Sequence, residues 1–189
     1  MHLVNMKRYG IVMTGYAGCF GAGLVAEKKS KALLERFPSF LVRNAILQGK
    51  EDENEKAMSL LKESDDDYGM IGMEVVSDGG VFKGLWNLGE TCDVGFSVDL
   101  KEIPIRQETV EVCNFFDINP YQLYSQGVML FLAEDARGLC EAFRKNHIPA
   151  AIIGRTHAEK KRVIVNEDEE RFLEPRKQDS LLELKEGKE

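Results

Sequence analysis

The sequence has few cysteines, and none of them is spaced for a metal or redox site. The four lie far apart in the 189-residue chain and form no Cys-x-x-Cys pair. This excludes the ligand spacing of a zinc site and the cysteine density of a disulfide scaffold. We therefore expect no metal ligands among them, and buried, reduced thiols at Cys19, Cys92, Cys113 and Cys140.

Long apolar runs and basic clusters are missing as well. No stretch approaches the roughly 18 consecutive apolar residues that a membrane span needs, and no apolar run follows the basic residues Lys7 and Arg8. No lysine and arginine cluster carries interleaved aromatic residues, which argues against a nucleic-acid partner. These absences predict a cytoplasmic protein that binds neither a membrane nor a nucleic acid.

Histidine is scarce, and no sequence pattern pairs a histidine with a nucleophile. His147 stands at the end of a predicted helix, where a histidine interacts favourably with the helix dipole. His157 follows a predicted strand and is interpreted as a surface turn residue. The sequence therefore names no catalytic residue.

The chain does have the composition of a folded globular domain, with 43% hydrophobic and 30% charged residues. Its length predicts one domain over residues 1–175, followed by a polar, flexible tail at 176–189. The net charge of −7 is unevenly placed, because residues 50–67 hold eight acidic and three basic side chains. The glycine motifs lie outside this acidic segment, so the local charge does not exclude a phosphate there.

Apolar periodicity predicts strands that are interleaved with helices. The strands are expected at residues 9–14, 68–76, 94–100, 128–133, 149–156, 162–165 and 171–173. The helices are expected at residues 22–37, 39–47, 55–61, 80–89, 104–116 and 135–146. Because some strands follow each other directly, we predict an α+β fold with a mixed β-sheet and packed helices.

The most informative motif is a passage from strand to helix at Ser77, Asp78, Gly79 and Gly80, called here the Ser77 turn. The first amides of a helix have no partners within it, and glycines let a phosphate approach the backbone closely. The motif therefore predicts a phosphate site. The alternative is a tight turn in which Asp78 or Ser77 caps the helix, which contributes about 1 kcal/mol.

Two further places offer candidate phosphate contacts. Residues 125–127 form a second glycine turn, called here the Gln126 turn, in which Gln126 and Gly127 are the candidates. Arg155 is a candidate as well, with an ion pair to a neighbouring strand as its alternative role. Four glycines in residues 15–23 do not follow the Gly-x-Gly-x-x-Gly spacing of a dinucleotide site, and we expect them to allow a close backbone crossing.

Taken together, the motifs resemble a known family. They are SDGGVFKGLW at 77–86, VGF at 94–96, IPIR at 103–106, NP at 119–120, SQG at 125–127 and AIIG at 151–154. The combination resembles the C-terminal domain of the aminoimidazole ribonucleotide (AIR) synthetase superfamily, which includes thiamine-monophosphate kinase. The resemblance covers residues 9–172 and is closest to the hydrogenase-maturation branch. It implies the same α+β domain.

The resemblance also implies expectations about cofactors and partners. In complete members, ATP lies between two domains, and the N-terminal domain supplies the acidic residues that hold magnesium. Only eight residues precede the similarity here, so we expect ATP and Mg²⁺ only together with a partner domain. The face that would meet such a domain is expected to be partly apolar, which predicts a homodimer or a complex with a separate N-terminal-domain-like protein.

Two departures from the family pattern bear on function. Val75 stands where the family often has an aspartate, and the chain does not end in the cysteine of the maturation enzyme. We therefore expect a non-catalytic or degenerate protein that binds a nucleotide, a phosphorylated ligand or a protein partner. One subunit of a split ATP-dependent enzyme is the alternative, and a purely structural or interaction protein is the third hypothesis.

Overall fold

The computed structural model describes residues 8–174, and the predicted tail lies outside them. Seven strands are found in this range: β1 (Gly10–Thr14), β2 (Met70–Val75), β3 (Gly95–Asp99), β4 (Met129–Ala133), β5 (Ala150–His157), β6 (Arg162–Asn166) and β7 (Glu169–Phe172). Seven α-helices accompany them: α1 (Cys19–Lys28), α2 (Ser30–Arg36), α3 (Ser39–Gln48), α4 (Asn54–Glu63), α5 (Gly80–Thr91), α6 (Gln107–Phe116) and α7 (Ala136–Lys145). The fold is α+β, as predicted.

The strands form one mixed sheet in the order β2-β4-β1-β5-β3-β6-β7. Only β3 and β6 are parallel, and every other neighbouring pair is antiparallel. The register places Thr14 and Val75 opposite Met129, and Thr14 also opposite Ala150. We call this end of the sheet, where β1 and β2 finish and β4 and β5 start, the site end.

Successive side chains along each strand point to opposite faces of the sheet, so the apolar core is divided between these two faces. On β1, Ile11 and Met13 pack on one face with α5, whereas Val12 packs on the other face with α7 and α4. A third apolar cluster joins α1, α3 and α6. Neighbouring residues of a strand therefore belong to different apolar clusters, one on each face of the sheet.

Two helix boundaries differ from the predictions. The predicted helix at 22–37 is two helices, because the non-helical backbone at Lys29, with φ −111°, separates α1 from α2. The predicted helix at 104–116 begins only at Gln107. The Pro104 carbonyl instead accepts a hydrogen bond from the Ala17 amide at 2.9 Å. The segment before Gln107 therefore contacts the residues that precede α1.

The four cysteines are free thiols, as expected. Three of them are buried, and Cys92 is only partly buried. Burial raises the pKa of the Cys113 thiol to about 12, so this group stays protonated at neutral pH. Within residues 8–174, no group of three or more histidine, cysteine, aspartate or glutamate side chains could hold a metal ion.

None of the helices in residues 8–174 has both the length and the apolar character needed to cross a membrane.

Candidate functional site

The site end of the sheet brings together the Ser77 turn and the Gln126 turn. The Ser77 turn follows β2 and the Gln126 turn precedes β4, and these two strands are antiparallel neighbours. The Ser125 amide donates a hydrogen bond to the Ser77 carbonyl at 3.1 Å. The two glycine turns that lie almost fifty residues apart in the sequence are therefore adjacent in the fold.

The Ser77 turn exposes its polar half and buries its glycines. Ser77 and Asp78 are exposed, while Gly79 and Gly80 are buried. The predicted side-chain cap is wrong: Gly79, with φ 77°, is the residue before α5, and neither Ser77 nor Asp78 caps this helix. The Asp78 carboxylate instead accepts a hydrogen bond from Lys83 Nζ at 2.5 Å.

The contact with Lys83 favours the ionised form of the Asp78 carboxyl. The hydrogen bond from Lys83 is the largest cause that lowers the pKa of the Asp78 carboxyl, and the positive charge of Lys83 adds to it. The carboxylate is therefore ionised at neutral pH. Because the side chain of Asp78 is 65% exposed, this ion pair lies in solvent and can exchange partners.

Two of the backbone amides in the Ser77 turn already have partners within the turn. The Gly80 amide donates to the Ser77 carbonyl at 3.3 Å, and the Asp78 amide interacts with its own carboxylate. A Cβ atom on Gly80 would lie 2.6 Å from the carbonyl oxygens of Tyr121 and Leu123. The glycine at this position thus allows a close backbone crossing.

The Gln126 turn is covered by the acidic segment. Gln126 Nε2 donates to a carboxylate oxygen of Asp52 at 3.2 Å. Gly127 has φ 84°, and a Cβ atom there would lie 2.8 Å from the carbonyl oxygen of Glu51. The start of the acidic segment, for which the sequence offered no role, therefore packs over the second glycine turn.

Arg155 is not brought together with the other candidates. It lies on β5 opposite Gly10, at the start of β1, and opposite Ser97 on β3. The Ser77 turn adjoins the other end of β1. Arg155 and the Ser77 turn thus lie near opposite ends of the sheet, because β5 runs away from the site end.

The glycines of residues 15–23 allow close backbone contacts, as predicted. A Cβ atom on Gly18 would lie 2.6 Å from the Pro120 carbonyl oxygen, and one on Gly23 would lie 2.9 Å from Gly49 Cα. The Gly18 amide also donates to Ser125 Oγ at 2.8 Å. These contacts join α1 to the Gln126 turn and to α3.

His147 and His157 lie in different parts of the fold. His147 follows α7, is exposed and has φ 59°, which agrees with its predicted place at the helix end. His157 is the last residue of β5, so its interpretation as a turn residue is wrong. Its Nδ1 lies 2.7 Å from the carbonyl oxygen of Glu159.

Sequence reasoning missed one charged side chain at the site end. Arg106 is the last residue of the IPIR motif, but the sequence analysis gave this arginine no role in the site. In the structure its Nη2 lies 2.6 Å from Glu51, and its guanidinium carbon lies 4.2 Å from the centre of the Tyr16 ring. The only available signal was its place in a motif shared with the family, since its partners are distant in the sequence.

The comparison with solved structures shows the fold. The chain is similar to E. coli HypE with a TM-score of 0.72 at 14% identity, covering 95% of this chain and 53% of that chain. A structure of the hydrogenase maturation protein HypE in complex with ATP gives 0.71 at 15% identity, with coverages of 94% and 53%. Thiamine monophosphate kinase from Aquifex aeolicus gives 0.58 at 16% identity, with coverages of 88% and 52%.

This chain thus spans about half the length of each of these structures. No curated protein matches its sequence. The family described as "AIR synthase related protein, C-terminal domain" matches residues 10–166, which is most of the chain. The resemblance seen in the motifs is therefore confirmed, and this chain belongs to the family of AIR synthase related proteins, as a C-terminal domain.

Proposed function

We propose that this chain is a binding domain for a nucleotide or another phosphorylated ligand, and that the ligand contacts the exposed side of the Ser77 turn. The observation that carries the proposal is the Asp78–Lys83 pair. A lysine near the start of a helix faces the positive end of the dipole, so an anion beside it is stabilising. Asp78 supplies that anion in the structure, and a phosphate group has the charge to replace it.

The exchange of Asp78 for a phosphate costs little free energy. The side chains of Lys83 and Asp78 are 33% and 65% exposed. Exposed ion pairs contribute only about 0–1 kcal/mol, so little is lost when Asp78 leaves Lys83. The structure of HypE in complex with ATP shows that a protein of this fold binds a nucleotide. In this proposal the chain binds its ligand without catalysing a reaction, since Val75 gives the turn an apolar neighbour in place of a carboxylate.

Calorimetric titration with ATP tests the proposal, first in EDTA and then with Mg²⁺. We expect Lys83→Met to weaken ATP binding about tenfold, because a charge-assisted contact is lost. Asp78→Asn is expected to tighten binding of metal-free ATP, because it removes the competing carboxylate.

The chain offers a matched control for this titration. Lys160 forms a similar but more exposed pair with Asp93, also at 2.5 Å, just before the start of β3 and away from the site end. Lys160→Met should leave ATP binding unchanged. The proposal is wrong if the unaltered protein binds no ATP under either condition, or if the two lysine substitutions weaken binding equally.

The second candidate function is that of one subunit in an assembly, as a homodimer or with a separate N-terminal-domain-like protein that brings Mg²⁺ and ATP chemistry. The coverage of about half of each relative favours it. Another solved structure to which this chain is similar is that of a HypE–HypF complex, so a protein of this fold assembles with another. A cleft completed in this way would place the Ser77 turn opposite the partner.

The apolar surface for such an assembly is expected on β2. This strand lies at an edge of the sheet, and Ile71, Met73 and Val75 are 45%, 45% and 51% exposed. An edge strand with a row of apolar side chains is suited to pairing with another chain. We expect a dimer in light scattering at tens of micromolar, and Met73→Glu should convert it to a monomer.

Leu47 serves as the control for the assembly experiment. It is 57% exposed on α3, away from β2, so Leu47→Glu should leave the dimer intact. A monodisperse monomer of the unaltered protein would contradict the homodimer. If, in addition, no N-terminal-domain-like protein co-purifies, the assembly proposal fails and a purely structural role is favoured.

A further inference from the structure

A cavity lies at the site end, beside the Gln126 turn. Its volume is about 300 Å³, at the lower end of the range for small-molecule sites. The side chains that matter for its chemistry are Tyr16, Gln48, Glu51, Glu53 and Arg106. The cavity is distinct from the Asp78–Lys83 pair, neither of which lines it.

The Arg106 guanidinium is held in place but only partly satisfied. Its position over the Tyr16 ring, 4.2 Å from the ring centre, fixes it by a cation–π contact. Its Nη2 donates to Glu51 at 2.6 Å, while its buried Nε has no hydrogen-bond partner within residues 8–174. An arginine presents these two donors as a fork that matches both oxygens of one carboxylate. Glu51 therefore uses one arm of the fork and leaves the other unused.

Gln48, which also lines the cavity, carries a buried acceptor without a donor within residues 8–174. In the described part of the chain, the buried Oε1 atom of Gln48 accepts no hydrogen bond. A buried polar atom without a partner costs free energy, and a ligand that pairs with it is favoured. Among the described residues, two that line the cavity thus each carry an unused polar group, a donor on Arg106 and an acceptor on Gln48. A ligand that satisfies both needs an anionic acceptor group and a hydroxyl donor.

We infer that this cavity binds a small hydroxycarboxylate. Its carboxylate takes both Nε and Nη2 of Arg106 and displaces Glu51, and its hydroxyl donates to Gln48 Oε1. The side chain of Glu51 is 53% exposed, so it can move into solvent when the ligand enters. Glu51 thus acts as a competing internal carboxylate, and the ligand gains the second arm of the arginine fork that Glu51 does not use.

The acidic wall of the cavity limits which anions fit. Glu53 also lines it, and its carboxylate lies 3.4 Å from Lys56 Nζ. A ligand with a single negative charge is repelled less by Glu53 than a phosphate with nearly two. This favours a monocarboxylate over inorganic phosphate, even though the arginine fork suits both.

Titration with glycolate, acetate and inorganic phosphate, followed by amide chemical shifts of the full chain, tests the inference. Glycolate should bind about threefold tighter than acetate, because only glycolate has a hydroxyl for Gln48. Glu51→Gln should tighten glycolate binding about threefold by removing the competitor. Arg106→Gln should weaken it at least about tenfold.

Glu53→Gln is the matched control, because it removes the same charge from the same wall without releasing Arg106. The inference is overturned if Glu51→Gln has no larger effect than Glu53→Gln, if glycolate shifts no resonance, or if phosphate binds more tightly than glycolate. Should Arg106→Gln fail to fold, the comparison of the two glutamate variants still decides. Glycolate binding responds to Glu51 and ATP binding to Lys83, so either proposal can fail alone.

Discussion

Replacing Gly80 by alanine is expected to lower the free energy of unfolding by about 2–5 kcal/mol. Gly80 has φ 65°, a conformation that costs an alanine about 1–2 kcal/mol. The new Cβ atom would also lie 2.6 Å from two carbonyl oxygens of the backbone, and such overpacking costs about 1–3 kcal/mol more. Urea denaturation, followed by the fluorescence of the single tryptophan, Trp86, measures the change.

Gly79 provides the control for this experiment. Its φ of 77° is similar, but the atoms nearest to a Cβ there belong to the side chain of Lys83 and not to the backbone, and the outer part of that side chain can move. Gly79→Ala should therefore cost only the backbone term of about 1–2 kcal/mol. If both variants lose the same stability, the close crossing at Gly80 is not the cause. Substitutions of Gly80 also cannot test ligand binding, since they alter the fold.

The second large effect is expected from Phe131→Ala, which should lower the free energy of unfolding by about 3–5 kcal/mol. Phe131 lies at the centre of β4, is fully buried, and its ring centre lies 5.3 Å from that of Phe143 on α7. Removing the ring leaves a cavity between the sheet and α7. Since domains are stable by only about 5–15 kcal/mol, much of the total stability would be lost.

Phe172→Ala is the matched substitution on the surface. Phe172 is 73% exposed on β7, so its removal should change stability by less than about 0.5 kcal/mol. Both variants are measured by the same urea denaturation. A loss below about 1 kcal/mol for Phe131→Ala would show that the sheet and α7 close the cavity.

Local patterns were sufficient to predict most of the secondary structure. All seven strands of the described residues lie within two residues of their predicted bounds, because alternation and β-branched runs are local signals. The break at Lys29 was missed, since the apolar pattern continues across it. The start of α6 was misplaced because Pro104 suits a helix start as well as the extended segment that it forms.

The sequence predicted which turns are candidate sites but not what surrounds them. The Ser77 and Gln126 turns were identified from their glycines, and the structure places them side by side. At Gly80 and Gly127 the structure adds a role that the sequence did not reveal, because protein backbone lies where a Cβ atom would be. A glycine in a turn does not reveal which atoms approach it, since those atoms come from other segments.

The sequence by itself determined the α+β class, the order of strands and helices, and the family, because these depend on periodicity and on short motifs. Only the tertiary structure decided that Arg155 lies far from the Ser77 turn, and that Glu51 meets Arg106 across 55 positions of the chain. The physical reason is that such contacts follow from strand order, strand direction and the packing of all elements at once. No local pattern encodes that arrangement.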